Sequence, residues 1–166
     1  MSDEVLVRGA RLGVDVGAVR VGLASSDPDG LVATPVETLA RDNRRPETPD
    51  ALSTDLAQIV REVHERRASV VYVGLPRHLG GNEGASSAAA REYAARLARA
   101  IDPVEVRLVD ERMSTVTAHQ ALHASGRAGR RHRAVVDQVA AVVILQSALD
   151  VERGTGRRAG EPVSAA

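Results

Sequence analysis

Four acidic residues occupy positions from which a metal ion or a phosphate group could be bound. Asp15 alternates with Gly13 and Gly17 on one face of the segment 12–17, and the other face is apolar. This period of two indicates a strand with two different faces. A carboxylate between glycines, where other groups can approach the backbone closely, suits a cation or a phosphate. An aspartate that only caps the following turn fits the same pattern, so both interpretations stay open here.

The other three acids follow a second strand pattern and begin the last predicted helix. Asp110 and Glu111 directly follow the alternating segment 104–109. Asp137 falls in the first turns of the predicted helix 134–150. Each has an ordinary structural alternative, as a charged strand exit or as a partner of the helix dipole. Brought together, the acids repel unless a cation neutralises them. Because cysteine is absent, an all-oxygen site for Mg²⁺ or Mn²⁺ is favoured, with two ions acting on a phosphodiester.

Arginines are predicted around the same site, where their fork-shaped donors suit phosphate oxygens. The segment 126–133 reads as a mobile basic loop, although a solvated run of charge is its plain alternative. The candidate substrate-binding residues are Arg20, Arg77, Arg112, Arg127, Arg130, Arg131 and Arg133.

The composition limits the class of protein. The 166 residues suffice for one domain with a real core, and the 22 basic and 22 acidic side chains balance. Tyr72 and Tyr93 are the only aromatic residues, which makes base stacking an unlikely mode of recognition. The polar start of the chain and the lack of a long apolar run predict a cytoplasmic protein without a membrane anchor.

The predicted fold class is α/β. Three antiparallel strands followed by parallel crossovers form a five-stranded mixed sheet flanked by helices, with Pro35 in an edge strand. Residues 1–150 form a single domain, and 151–166 form a disordered tail. The predicted strands are 12–16, 21–24, 31–39, 70–75 and 104–109, and the predicted helices are 48–67, 84–100, a short one that ends near 126, and 134–150. Ligands of such sheets bind at the carboxyl ends of the parallel strands, where the acids lie.

Four motifs together resemble the YqgF family, the Holliday-junction-resolvase-like proteins that are also described as pre-16S rRNA nucleases. The motifs are GVDVG with RVGLA at 13–24, VGLP with three glycines at 73–84, DERMST at 110–115 and DQVAAVVILQ at 137–146. The resemblance implies an RNase H-like fold and metal-dependent phosphodiester hydrolysis at the 5′ end of 16S ribosomal RNA. By motif, it implies that Asp15, Glu111 or Asp110, and Asp137 are the catalytic acids, and that Asp15, Glu111 and Asp137 bind the metal. Ala18 and Val19 depart from the family, which often has threonine and a basic residue there.

Four functions remain open from the sequence. The first is a nuclease that acts on structured RNA, with a ribosomal precursor particle as partner. The second is a resolvase of branched DNA junctions, which needs a homodimer rather than a monomer for symmetric cutting. The third is a non-catalytic RNA-binding adaptor, and the weakest is a nucleotide-binding phosphotransferase, for which the chain is too short.

Overall fold

A six-stranded mixed sheet with helices on both faces forms the protein. The computed structural model describes residues 6–48, 51–77, 82–111 and 129–166, with the side chains of 129–137 excepted. The elements are β1 (Arg11–Val16), β2 (Arg20–Ser26), β3 (Ala33–Ala40), α1 (Thr54–Arg66), β4 (Val70–Leu75), α2 (Ala85–Ile101), β5 (Glu105–Asp110), α3 (Gly129–Thr155) and β6 (Glu161–Pro162).

The sheet has the strand order β3-β2-β1-β4-β5-β6. The first three strands are antiparallel, whereas β1, β4 and β5 run parallel. This is the RNase H-like arrangement, so the predicted α/β mixed sheet is confirmed. It has one strand more than predicted, because β6 pairs antiparallel with β5. The edge position of β3, which contains Pro35, is also confirmed, since proline lacks the N–H that a second neighbour would need.

Strand alternation divides the core between the two faces. Leu12 and Val14 pack in the cluster that contains α1 and α2, whereas Ala24 and Tyr72 pack in the cluster that contains α3. Every residue of β4 is buried, as expected for a central parallel strand covered on both sides. The two faces therefore stay distinct along β1, and odd-numbered positions of that strand lie on the α3 side.

Helix α1 begins at Thr54 rather than at the predicted start near Thr48 and Pro49. Asp42, from the segment after β3, accepts hydrogen bonds from the Thr54 N–H at 3.1 Å and from its hydroxyl at 3.2 Å. A carboxylate distant in sequence thus supplies the acceptor for this helix end, which local cap patterns cannot reveal. Leu52, which falls within the predicted helix 48–67 but before α1, is 43% exposed.

Helix α3 is longer at both ends than predicted. It includes residues 129–133 of the predicted basic loop and continues to Thr155. The predicted disorder of 151–166 is wrong, because this segment ends α3, buries Ala159 and forms β6. The predicted short helix that ends near Gly126 lies outside the described residues. In the described part of the chain, no helix combines the length and the apolar character needed to cross a membrane.

A buried charge cluster explains why the C-terminal segment is ordered. Glu152 is 4% exposed and forms ion pairs with Arg11 at 3.0 Å and with Arg158 at 2.9 Å. The Tyr72 hydroxyl also donates to Glu152. These groups join β1, β4, α3 and the segment before β6, a long-range arrangement that composition alone does not signal.

We expect Glu152→Ala to lower the free energy of unfolding by about 3–5 kcal/mol, because it leaves two buried arginines without their shared partner. Asp150→Ala is the matched control on the same helix. Asp150 is exposed and pairs only at the surface, so its loss should change stability by at most ~1 kcal/mol. Urea denaturation of both variants measures the difference, and equal effects would contradict this account of the cluster.

Candidate active site

The candidate site lies where β1, β4 and β5 end. Asp15 is the fifth residue of β1, and its register partner is Gly22 in β2. Asp110 ends β5 opposite Leu75 of β4. Glu111 follows, and its N–H donates to the Leu75 carbonyl at 3.3 Å. Parallel strands bring their carboxyl ends to one edge, so residues distant in sequence meet there.

Asp15 and Glu111 are in direct contact, because their carboxyl groups share a hydrogen bond. Burial raises the pKa of Glu111 above its ordinary value; the bond with Asp15 lowers it, and the nearby charge of Asp110 raises it. The Oε2 atom of Glu111 is buried and has no hydrogen-bond partner among the described residues. Two such carboxyl groups need either a shared proton or a cation.

Gly74 of β4 makes room for the Glu111 carboxylate. A Cβ atom at this position would collide with Oε2 of Glu111 and would lie 2.6 Å from Cδ1 of Ile144 in α3. The carboxylate therefore occupies space beside β4 that a side chain at residue 74 would contest. This glycine belongs to one of the sequence motifs, but no role in the site was predicted for it.

Asp110 occupies a different position from Glu111. It is exposed, and by strand alternation it shares the face of Leu108, which packs toward α1 and α2. Val109, on the other face, packs toward α3, where Asp15 and Gly74 also lie. Of the two candidates in the Asp110–Glu111 pair, Glu111 is the one that the structure brings to Asp15.

The backbone of Asp137 lies level with Asp15. Helix α3 runs antiparallel to β1, since Glu152 contacts Arg11 and Ala141 lies over Gly13. Asp137 precedes Ala141 by about 6 Å along the helix. Asp15 follows Gly13 by about 7 Å along the strand in the same direction. The side chain of Asp137 lies outside the described set.

The predicted substrate-binding arginines lie in different parts of the chain, and the structure describes only some of their side chains. Arg77 follows β4, and its Nη2 is 3.9 Å from Oε2 of Glu83, while its Nε is buried without a hydrogen-bond partner. Arg20 begins β2, and its carbonyl accepts the Gly17 N–H at 2.8 Å. Arg112 and Arg127 lie outside the described residues. The remaining predicted residues lie in the first turns of α3, with side chains outside the described set: Arg130, Arg131 and Arg133.

Arg41, which follows β3, had no predicted role. Its guanidinium donates to the Gly17 carbonyl at 2.7 Å and lies 5.0 Å from the centre of the Tyr93 ring. Arg41 thereby fixes the turn that follows Asp15 against α2. Only its place in an arginine-containing loop could have drawn attention to it.

The donor set fits a hard divalent cation. Among the described side chains, no group of three or more acidic, histidine or cysteine residues is close enough to bind a metal ion. The pair of Asp15 and Glu111 nevertheless supplies carboxylate oxygens, the ligands that Mg²⁺ and Mn²⁺ prefer. Burial raises the pKa of the Glu111 carboxyl, and a cation bound beside it would stabilise its charged form.

Comparison with known proteins gives consistent matches over most of the chain. A relative from Streptomyces coelicolor is 52% identical over 157 residues, covering 94% of this chain and 89% of its own. One from Kineococcus radiotolerans is 50% identical over 156 residues, covering 94% and 79%. Both bear the name "Putative pre-16S rRNA nuclease".

A solved structure, "T. thermophilus RuvC in complex with Holliday junction substrate", shares 20% identity at a TM-score of 0.49, covering 93% of this chain and 99% of that one. The profile of the RuvX family, described as "Holliday junction resolvase", matches residues 9–151. With that match over most of its length, and with relatives about half identical, the chain belongs to the RuvX family.

Proposed function

We propose that this protein is a divalent-metal-dependent nuclease that hydrolyses phosphodiester bonds in the precursor of 16S ribosomal RNA, near its 5′ end. The observation that carries the proposal is the contact between Asp15 and Glu111 at the carboxyl edge of the sheet, with a buried, unpartnered oxygen on Glu111. The names of its relatives support the choice of substrate.

Asp15 and Glu111 would hold the metal, and we propose that Asp137 from α3 completes the set. A bound Mg²⁺ or Mn²⁺ would activate water and offset the charge that develops on the phosphate. The strand register fixes Asp15, while Gly74 and Ile144 fix Glu111. Because Asp15 lies in a packed strand and Glu111 directly follows one, their carboxylates are held in place before any substrate binds.

Arginines of this chain would position the substrate. The buried Nε of Arg77 has no hydrogen-bond partner in the described part of the chain, so a phosphate oxygen at this edge would satisfy it. We propose the same role for Arg20, Arg112, Arg127, Arg130, Arg131 and Arg133. Contacts of this kind orient a nucleic acid without reading its sequence. We further propose that the protein acts in the cytoplasm on a ribosomal precursor particle, and that one domain carries the whole site.

A second candidate is resolution of four-way DNA junctions at the same site. The description of the RuvX family favours it. Symmetric cutting of a junction would require two copies of the site, whereas cutting of an RNA leader requires one. A monomer in solution would therefore favour the RNA substrate.

We expect Asp15→Asn, Glu111→Gln and Asp137→Asn each to reduce cleavage of a precursor 16S leader RNA at least ~100-fold, because loss of even an outer-shell partner of a metal ligand typically costs 10–100-fold. Asp110→Asn is the control, since Asp110 is exposed on the other face and should retain most activity. The assay is run with Mg²⁺ and with Mn²⁺.

The same assay separates the candidate functions. A four-way DNA junction is tested beside the leader RNA with each variant. Cleavage of the junction alone would replace the RNA substrate with the DNA substrate. Equal activity of Asp15→Asn and wild type would contradict the proposed site.

Gly74→Ala should lower both activity and stability. The added methyl group collides with Glu111 and crowds Ile144, and overpacking of this kind costs about 1–3 kcal/mol. We expect activity to fall at least tenfold, because the carboxylate must shift away from Asp15. Gly154→Ala is the matched control. Apart from its chain neighbours and the backbone of α3 itself, no described atom lies within 4 Å of its Cβ position, so stability should hold or rise by up to about 1 kcal/mol. A fully active Gly74→Ala protein would contradict the role of this glycine.

A further inference from the structure

A cavity of about 290 Å³ lies at the start of α1, apart from the acidic site. Arg44, Arg45 and Arg96 line it, together with Ser53. A neighbouring cavity of about 250 Å³ shares these arginines and adds Arg41 and Glu92. The lining comes from the segment after β3, from the start of α1 and from α2, so the tertiary fold alone assembles it.

Among the described residues that line the cavity, positive charge exceeds negative charge. Within the part of the chain that the structure describes, Arg45 and Arg96 make no hydrogen bond or ion pair. Arg44 is bound by Asp42 through a pair of hydrogen bonds, each 2.9 Å long, and this pairing lowers the pKa of Asp42 below its usual range. The other acid in the lining, Glu47, is exposed. Two guanidinium groups therefore remain available to an anion.

Ser53 provides a second, independent indication of a ligand. It stands at the N-cap of α1, yet its hydroxyl makes no capping hydrogen bond. The residue is only 9% exposed, and its hydroxyl oxygen is buried without a partner. Such a group has an energetic cost unless something else binds it. The amino end of a helix also carries partial positive charge, which favours an anion.

The segment after β3 that lines these cavities is hydrogen-bonded to the turn that follows Asp15. Arg41 donates to the Gly17 carbonyl at 2.7 Å, and Asn43 donates to the Ala18 carbonyl at 3.2 Å. The strand register runs from Asp15 through Gly22 to Thr38, two strand spacings away, and Arg41 lies three residues beyond Thr38. Standard sheet dimensions then place the Arg41 backbone roughly 14 Å from that of Asp15. A duplex that rises 3.4 Å per base pair covers this distance in about four base pairs.

We propose that this cavity binds a backbone phosphate of the nucleic-acid substrate, several nucleotides from the bond that is cut. The inference rests on the proposed function, to which it adds a second point of attachment. Fork-shaped donors, a free hydroxyl and a helix amino end are the groups that bind phosphate in proteins. A strand held both here and at the acidic edge would have one orientation over Asp15 and Glu111.

The test measures binding without cleavage, in protein that carries Asp15→Asn. Arg45→Gln with Arg96→Gln removes the two unpaired charges, and Arg99→Gln with Arg157→Gln is the matched control. Arg99 lies one turn from Arg96 on α2, and both control residues are exposed and outside the cavity. We expect the cavity variant to bind labelled leader RNA about tenfold more weakly at 0.1 M salt, with a salt slope smaller by roughly 0.7–0.9 for each phosphate that is no longer neutralised. The control should stay within about twofold of the parent protein.

A titration with inorganic phosphate, followed by amide resonances, tests the cavity itself. We expect phosphate to shift the amides of 42–47 and 53–55 in the parent protein and not in the cavity variant. Ser53→Ala breaks no hydrogen bond in the free protein, so its melting temperature should hold, while its phosphate affinity should fall about threefold.

The outcomes separate the ligand from the activity. Equal RNA binding by the cavity variant and its control would overturn the proposal. Phosphate shifts combined with unchanged RNA binding would identify a free anion as the ligand, and would also overturn it. If the parent protein binds neither leader RNA nor a DNA junction, the proposed function fails, and the phosphate titration alone then decides whether the cavity is an anion site.

Discussion

The structure depends on the close approach of α3 to the sheet. Gly13 and Gly74 permit it, because a Cβ atom on Gly13 would lie 2.7 Å from Cβ of Leu145, and one on Gly74 would lie 2.6 Å from Ile144. This packing buries Glu111 against Asp15 and brings the backbone of Asp137 level with them. Two small residues on neighbouring strands thus determine whether the acids can meet. A larger residue at either position would collide with side chains of α3.

A buried glutamate lies near each end of α3, and the two have opposite surroundings. At the amino end of β1, Glu152 has ion pairs with Arg11 and Arg158 and a hydrogen bond from Tyr72, so its charge is balanced within the protein. At the carboxyl end, Glu111 has an acid as its neighbour and one oxygen without a partner. The first arrangement secures the fold. The second requires a shared proton or a cation, and the proposed metal site would supply the cation.

Local patterns predicted much of the fold. Alternation identified β1 and β5, the continuous apolar run identified β4, and Pro35 marked the edge strand. What they could not predict arises from long-range partners. Asp42 moves the start of α1, and Glu152 orders the C-terminal segment that composition suggested would be disordered. Separation in sequence concealed both interactions.

The candidate site was predictable to a similar extent. Asp15 and Glu111 were singled out because strand ends in a parallel sheet converge. The choice between Asp110 and Glu111 needed the structure, since it depends on which face each side chain takes. Gly74 and Arg41 gave weaker signals, because a glycine in a motif and an arginine in a loop each have many ordinary roles.

The most direct test of the metal site compares the melting temperatures of wild type and Glu111→Gln at pH 8, first with a chelator and then with Mn²⁺. The raised pKa of Glu111 means that the folded chain holds this proton more tightly than the unfolded chain does. The free energy of unfolding therefore falls as the pH rises from the ordinary pKa of a glutamate to the raised pKa of the folded state. Without metal, Glu111→Gln should therefore melt at a higher temperature than wild type, by roughly 2–4 °C for each kcal/mol gained in the free energy of unfolding. Mn²⁺ should then raise the melting temperature of wild type well above its effect on the variant. Two results would contradict a metal site built on Asp15 and Glu111. One is a variant that melts at a lower temperature than wild type without metal, and the other is a variant whose melting temperature rises as much as that of wild type when Mn²⁺ is added.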